Sequence, residues 1–322
     1  MNGLYLSVVI PTYHREAVLR QTLKSVLAQD YPQFEVIVVD QTPNHEPETQ
    51  ALLNQLASDG KITLYTVDWA SLPAARNYAI ERSQGDVVVF IDDDVELPPG
   101  YLQTHADNYK QRSDVGAVAG RVFDRMKLAD SKGLAIEDLP PQAMDPGIAW
   151  YYIDLVHTVK PQQVLTARGC NMSFRRELFD KYGLRFDERF HGSAVREESD
   201  FCLHIRQTPY IIWYDPAAHL VHLGEETGGC HDISTRSLSY QLNFYHNHFL
   251  MALKNLTPLE IVRLGARLFD CHVLGNPPCY KDRDPKKVFT RGIFYILGFG
   301  YACLTLVTTL GRKGRLYSEM PG

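Results

Sequence analysis

Three consecutive carboxylates follow an apolar run in the first third of the sequence. Asp92, Asp93 and Asp94 come directly after Val87–Ile91, whose residues VVVFI predict a buried strand. Carboxylates packed this closely repel one another, and a hard cation such as Mg²⁺ or Mn²⁺ would neutralise them through oxygen ligands. In extended backbone the outer pair, Asp92 and Asp94, would share one face. The triplet therefore predicts a metal site, and the alternative is a solvated turn or a helix N-cap.

The first 120 residues alternate between strand and helix patterns that would position this triplet. Strands are predicted at 6–10, 34–39, 62–67 and 87–91, and helices at 16–29, 47–57 and 71–80. This order predicts an α/β fold, a mostly parallel sheet flanked by helices. Ligands of such sheets bind beyond the carboxyl ends of the strands, where Thr12, Tyr13, Asp40 and the triplet fall.

Seven segments, spread in order over roughly residues 5–225, resemble those of family 2 glycosyltransferases. They are SVVIPTY at 7–13, LAQDYP at 27–32, EVIVVD at 35–40, PAARN at 73–77, FIDDD at 90–94, GCNMSFRR at 169–176 and EESDF at 197–201. The resemblance implies a Rossmann-like sheet of the GT-A type and an inverting transfer of sugar from a nucleotide-sugar, by default a UDP-sugar, to an acceptor hydroxyl.

The resemblance also implies a nucleotide pocket. Pro11, Thr12 and Tyr13 would line it, and Asp40 would accept a hydrogen bond from the base. Arg76 would contact the base or the diphosphate, because a guanidinium matches phosphate geometry. The family usually has a second acidic residue directly after the aspartate that corresponds to Asp40. Gln41 stands at that position here, so the contact to the nucleotide could differ.

The same resemblance implies roles for the triplet. Asp92 would lie near the ribose and the metal, with Asp93 beside it in the donor site, and Asp94 would ligate Mg²⁺ or Mn²⁺. Many enzymes of this fold add a late histidine to the metal or the phosphate, and His222 is the candidate. A structural role is the alternative for this histidine.

The catalytic base would be Glu198. An acceptor hydroxyl is a weak nucleophile, so a carboxylate must take its proton during attack. The family usually places an aspartate there, and glutamate is one methylene longer. Glu197 and Asp200 are close enough in sequence to remain alternatives. All three could instead simply favour a helix start.

Three other functional classes fit the motifs less well. Haloacid-dehalogenase phosphatases have a strand followed by DxDx(T/V), but Glu96 stands at the fifth position here and three strands precede the motif. A nucleotidyltransferase would usually have a Gly-rich basic loop after the first strand, unlike the sequence PTYHR. A catalytically inactive carbohydrate-binding homologue would not need the intact Asp92, Asp94 and Glu198.

Charge is distributed unevenly along the 322 residues. The net charge is −5, yet residues 281–322 hold eight Lys and Arg residues against three acids. An acidic body argues against nucleic acid as a partner.

The six cysteines are scattered, as in reduced cytosolic proteins. Cys271, His272 and Cys279 could be zinc ligands, although no CxxC motif supports this.

The C-terminal region predicts contact with a membrane. Residues 292–310 carry no charge and are flanked by bases. As a helix they would span about 28 Å, close to the hydrocarbon thickness of a bilayer. Spanning, lying on the surface and core packing all remain open. The N-terminus lacks a signal-peptide pattern, so we expect a cytoplasmic enzyme at the inner face of the cell membrane, with a glycan or lipid-linked acceptor.

These patterns predict one catalytic domain and a C-terminal helical region that could associate with a membrane. The catalytic domain would cover residues 1–235, with a nucleotide-sugar half at 1–122 and an acceptor half at 123–235. The helical region would cover residues 236–322.

Overall fold

The computed structural model describes residues 3–125, 135–225, 228–229, 238–277, 279 and 281–309. Within these residues, nine strands form one sheet: β1 Leu6–Thr12, β2 Phe34–Asp40, β3 Thr63–Thr66, β4 Val87–Ile91, β5 Val95–Glu96, β6 Val115–Asp124, β7 Gln162–Val164, β8 Asn171–Arg175 and β9 Ile211–His222. The helices are α1 Ala17–Leu27, α2 Pro47–Ser58, α3 Leu72–Ile80, α4 Tyr101–Gln111, α5 Ala149–Tyr152, α6 Glu177–Asp180, α7 Glu197–Ile205, α8 Leu238–Asn255, α9 Pro258–Leu268 and α10 Pro285–Thr308.

The sheet has two differently built halves. Its strand order is β3-β2-β1-β4-β8-β6-β9-β5, and β7 pairs with β9. The first four strands are parallel, as predicted. In the other half β8 enters antiparallel between β4 and β6, while β6 and β9 pair in parallel. The sheet as a whole is therefore mixed, because β8 reverses direction beyond the predicted strands.

Alternating side chains of the parallel strands build a core on each face of the sheet. Val8 and Ile10 pack towards the α1 and α4 side, whereas Val9 packs with α3 and α7. Both faces are covered, which explains the continuous apolar runs of β1, β2 and β4. Ser71 caps α3 as predicted, accepting a hydrogen bond from the Ala74 amide.

The three C-terminal helices share a third core with the catalytic domain. Phe190, Ala194 and Leu203 pack in one cluster with apolar residues of α8, α9 and α10. Lys254 of α8 also forms an ion pair with Asp187. The expected domain boundary at 235 lies outside the described residues. The apolar segment expected at 292–310 lies within α10, apart from its last residues.

Candidate active site

Strand register brings three strand ends together at one edge of the sheet. β9 lies between β6 and β5, so His222 stands opposite Asp124 on one side and Val95 on the other. Val95 directly follows the acidic triplet that ends β4. His222 is thereby placed between Asp94 and Asp124, which are 30 positions apart in the sequence. The predicted location of the triplet beyond the strand ends is what the structure shows.

His222 bridges the carboxylates at this edge. Its Nε2 lies 3.3 Å from Asp94 Oδ1 and 4.0 Å from Asp92 Oδ2, and its Nδ1 lies 3.4 Å from Asp124 Oδ1. Burial alone would lower the pKa of His222, but its hydrogen bonds with Asp124 and Asp94 outweigh burial and raise that pKa to about 10. Arg168 holds Asp124 in place through two hydrogen bonds of 2.9 and 3.0 Å.

A buried arginine neutralises part of the triplet. Arg15 Nε lies 3.4 Å from Asp93 Oδ1, and its Nη2 lies 3.4 Å from Asp94 Oδ2. Burial raises the pKa of Asp93 to about 7, although Arg15 opposes the shift. Arg15 therefore offsets part of the negative charge of the triplet, although no base stands near the triplet in the sequence. The neutralising group comes from the loop after β1, 79 residues from Asp94.

Arg76 joins the triplet to α7. Its guanidinium is 1% exposed, lies 3.7 Å from Asp92 Oδ1 and forms an ion pair with Glu197. It also donates a 3.0 Å hydrogen bond to the carbonyl oxygen of Gly169. Arg76 therefore holds three segments of the site together, and its predicted contact to the donor stays a prediction.

The three acids at the start of α7 have different surroundings. Glu197 is buried against Arg76, and Asp200 is buried between Lys254 at 2.7 Å and Asn255 at 2.6 Å. Glu198 is half-buried and accepts a 3.2 Å hydrogen bond from the hydroxyl of Ser199. Of the three carboxylates, Glu198 is the one most accessible to an incoming hydroxyl.

A polar pocket lies against the triplet. Its lining is Pro11, Thr12, Tyr13, Arg15, Gln41, Leu72, Asp92, Asp93, Asp94, Ser193, His222, Gly224, Glu225 and Gly229. Pro11, Thr12 and Tyr13 line this pocket, and their predicted contact with a nucleotide stays a prediction. At the end of β2, Gln41 lines the pocket, while Asp40 accepts hydrogen bonds from the Thr42 amide and from His45. The proposed contact of Asp40 with a base is untested.

The chain after β9 folds back over the first loop. The Gly229 amide donates a 2.7 Å hydrogen bond to the Tyr13 carbonyl oxygen. Gly228 has a φ of +74°, and a Cβ there would overlap the carbonyl oxygen of His14. Only glycine fits this close approach. The Glu225 amide donates to Asp94 Oδ2 at 3.2 Å, so the same loop also contacts the triplet.

The residues at the edge fit a divalent cation. Asp92, Cys170 and His222 offer ligand atoms within 4.8 Å of one another, and Asp94 lies beside His222. Burial raises the pKa of the Cys170 thiol, which favours the protonated and weakly ligating form. Two carboxylates and an imidazole remain. They would form a donor set compatible with Mn²⁺ once the ion displaces the Nε2 proton of His222.

The candidate zinc ligands Cys271, His272 and Cys279 are not arranged as a metal site in the structure. Cys279 Sγ lies 3.4 Å from His272 Nε2, and the Cys271 thiol donates to the Pro277 carbonyl oxygen at 3.5 Å. These three residues do not form a compact metal-ligand group among the described residues.

Four polar residues of the site were missed from sequence: Arg15, His45, Asp124 and Arg168. Asp124 could have been found, since it ends a buried strand just as the triplet does. Arg15, His45 and Arg168 carry no comparable local signal, because their partners are set by tertiary contacts.

The fold and the site define a sugar-transferring enzyme on a GT-A-type sheet. The model of "Glycosyl transferase family 2" matches residues 7–183, more than half of the chain. The chain therefore belongs to glycosyl transferase family 2 and is a glycosyltransferase.

Curated relatives are similar over part of their length. The chain is 28% identical over 204 residues to the O-antigen biosynthesis protein RfbC of Myxococcus xanthus, covering 59% of the chain and 15% of that protein. It is 32% identical over 102 residues to GalNAc(5)-diNAcBac-PP-undecaprenol beta-1,3-glucosyltransferase of Campylobacter jejuni, covering 31% of the chain and 32% of that protein. Glucosyl-dolichyl phosphate glucuronosyltransferase of Haloferax volcanii is 25% identical, with 67% and 68% covered.

Solved structures confirm the GT-A-type fold. S. aureus TarS 1-349 in complex with UDP-GlcNAc aligns with a TM-score of 0.54 at 17% identity, covering 96% of the chain and 76% of that structure. The mannosyltransferase PcManGT from Pyrobaculum calidifontis, in complex with GDP-Man and Mn²⁺, aligns with a TM-score of 0.53 at 18% identity, covering 99% and 84%.

Proposed function

We propose that this glycosyltransferase moves a sugar from a nucleotide-diphosphate sugar to an acceptor hydroxyl by a metal-assisted, inverting displacement. The observation that carries the proposal is the convergence of Asp92, Asp94 and His222 beside a pocket lined by Pro11–Tyr13. This edge offers both a cation site and a space for the nucleotide.

The donor would lie with its diphosphate at the triplet. A UDP-sugar is the default donor, and the complex of TarS with UDP-GlcNAc supports a donor of this class. Arg15, anchored on Asp93 and Asp94, adds positive charge at the pocket wall. Asp40 and Arg76 are assigned to the nucleotide only through the family resemblance.

The residues that would hold a divalent cation are Asp92, Asp94 and His222. The ion, Mn²⁺ or Mg²⁺, would offset the charge that develops on the leaving diphosphate. A neighbour of this fold is complexed with Mn²⁺, which supports the assignment. Asp124 lies 3.4 Å from the Nδ1 atom of His222, and Arg168 holds Asp124 in place. Together they would orient the imidazole so that its Nε2 atom faces the cation.

Glu198 is the proposed general base. It is the second residue of α7 and follows Glu197, which Arg76 ties to Asp92, and this connection supports a position near the donor site. It would take the proton of the acceptor hydroxyl as that oxygen attacks the anomeric carbon. One base and one displacement invert the anomeric centre.

We further propose a glycan or lipid-linked acceptor and a location at the cytoplasmic face of the cell membrane. Two relatives have names that specify polyprenol-linked substrates. One helix among the described residues, α10, is long and apolar enough by length and composition to cross a membrane.

A thermal-shift screen of nucleotide-sugars tests the donor and metal assignments. We expect UDP-sugars to raise the melting temperature when Mn²⁺ is present, because a ligand of the native state stabilises it. Asp94→Ala should lose this Mn²⁺-dependent rise. The matched control is Asp138→Ala, at an exposed carboxylate paired with Lys160. If no nucleotide-sugar stabilises the wild type, or if Asp94→Ala responds like the wild type, the assignment is wrong.

A further inference from the structure

One side of α10 is an apolar stripe that the described part of the molecule leaves exposed. The stripe consists of Phe289, Ile293, Ile296, Leu304 and Val307, which are between 42% and 71% exposed. Their spacing of three, four, seven or eight positions places them on one face of the helix. Exposed apolar residues in a row indicate a surface that another apolar phase covers.

The opposite side of α10 is packed on α8. Gly298, Ala302 and Thr305 are buried there. A Cβ at Gly298 would overlap the side chain of Tyr245, so the two helices approach closely at this point. Thr305 Oγ1 and His246 Nε2 share a buried hydrogen bond of 2.9 Å. The helix is therefore fixed to α8 along one face.

Further polar contacts fasten both ends of this packed face. The Tyr295 hydroxyl donates a 3.1 Å hydrogen bond to the Gly265 carbonyl oxygen in α9. Arg189 Nη1 donates a 2.8 Å hydrogen bond to Thr309 Oγ1, just after α10. The Phe269 ring packs on the Tyr295 ring, with centroids 5.4 Å apart. These contacts tie α10 to the body over about 14 residues.

Neither a core helix nor a spanning helix has this arrangement. Only 17% of the most apolar window of α10 is buried, too little for a core helix. To span a bilayer, α10 would have to leave α8, and His246 and Thr305 would lose their shared hydrogen bond. One face of α10 is hydrogen-bonded to the rest of the protein, and the opposite face is apolar and exposed. This arrangement suits a helix that lies parallel to the membrane surface.

We propose that α10 lies flat in the interface of an anionic membrane, with the stripe turned towards the acyl chains. Five bases occur at the start of the helix and just before it: Lys281, Arg283, Lys286, Lys287 and Arg291. The acids among them, Asp282 and Asp284, leave a local charge of +3. Asp284 accepts hydrogen bonds from the first turn of α10. The net positive charge complements anionic headgroups, which selects a lipid surface as the occupant of the stripe.

Helix α9, which packs against α10, also carries exposed apolar residues. It contacts α10 through Gly265 and, just beyond its end, Phe269, and its Leu259 and Val262 are 68% and 67% exposed. This docking would hold the enzyme on the membrane while leaving the catalytic domain in the aqueous phase. It does not depend on the donor or on the acceptor.

Vesicle co-sedimentation of the full chain tests the proposal. Purified protein would be mixed with two kinds of vesicle. One contains phosphatidylcholine alone, and the other also contains about 30% phosphatidylglycerol, which makes its surface anionic. We expect binding to the anionic vesicles, reduced by more than about tenfold in Ile296→Asp/Leu304→Asp, because charge on the stripe cannot enter the acyl region. Val159→Asp, at another exposed apolar residue, is the matched control and should bind normally.

A second measurement separates a flat helix from a spanning one. An epitope fused after Gly322 should be digested by protease in inverted membrane vesicles, on the same side as the catalytic domain. Protection of the epitope would show spanning and overturn the proposal. So would unchanged vesicle binding by the double variant, or a dimer in light scattering that the double variant abolishes. Thermal-shift responses to nucleotide-sugars report separately on the active site.

Discussion

At the residue scale, Arg76 holds three segments of the site together. It is buried between Asp92, the Gly169 carbonyl oxygen and Glu197, and its ion pair with Glu197 lies inside the protein core. A buried ion pair contributes little when intact. Removal of one partner is costly, because it leaves the other charge without compensation.

The first prediction follows from this burial. Arg76→Met should lower the free energy of unfolding by about 3–5 kcal/mol, because Glu197 would stay buried without its partner. Urea unfolding followed by circular dichroism measures the loss. Lys160→Met removes an exposed pair with Asp138 and should cost less than about 1 kcal/mol. Equal losses in the two variants would contradict the structural role of Arg76.

Residue patterns predicted some residues of the site and missed others. The triplet and the Pro11–Tyr13 loop were found from sequence because each follows a continuous apolar run. Arg15 was missed, since its partner Asp94 is 79 residues away and nothing local signals the pairing. The charge balance of the triplet is therefore a tertiary property.

At the element scale, the long strand β9 assembles the site. This strand runs from Ile211 to His222 and pairs with β5, β6 and β7. Strands β1, β2 and β4 were predictable because both of their faces are buried, which gives unbroken apolar runs. β9 alternates buried and half-buried residues around Pro216, so its second half carries no such run.

The loop after β9 gives a second prediction. Gly228→Ala should raise the donor KM by about tenfold, because the added Cβ would push the loop away from His14 and the pocket. Steady-state kinetics with the identified donor measures the change. Gly60→Ala is the matched control, since it has a φ of +65° with no atom near its Cβ. It shares the backbone strain of about 1–2 kcal/mol but should leave the KM unchanged. An unchanged KM in both variants would sink the prediction.

At the scale of the whole molecule, the catalytic part and the proposed membrane-facing part share one structure. α8 contributes Lys254 to the carboxylates Asp187 and Asp200, and its other side supports α10. Deletion of residues 281–322 would therefore expose the packed face of α8 as well as remove the apolar stripe. Substitutions on the stripe are the cleaner test of membrane attachment. The charge of the sequence is divided in the same way. The acidic body corresponds to the catalytic part, and the basic C-terminal region corresponds to the proposed membrane-facing part.

The central claim is that this chain transfers sugar with Glu198 as the base. The most direct measurement is the release of nucleoside diphosphate from the identified donor by Glu198→Gln, with membranes of the source organism supplying the acceptor. We expect kcat to fall at least about 100-fold while the thermal shift with donor stays that of the wild type, because the amide keeps the shape but accepts no proton. Asp200→Asn, in the same helical turn, should lose stability and retain turnover. Wild-type turnover by Glu198→Gln would contradict the account.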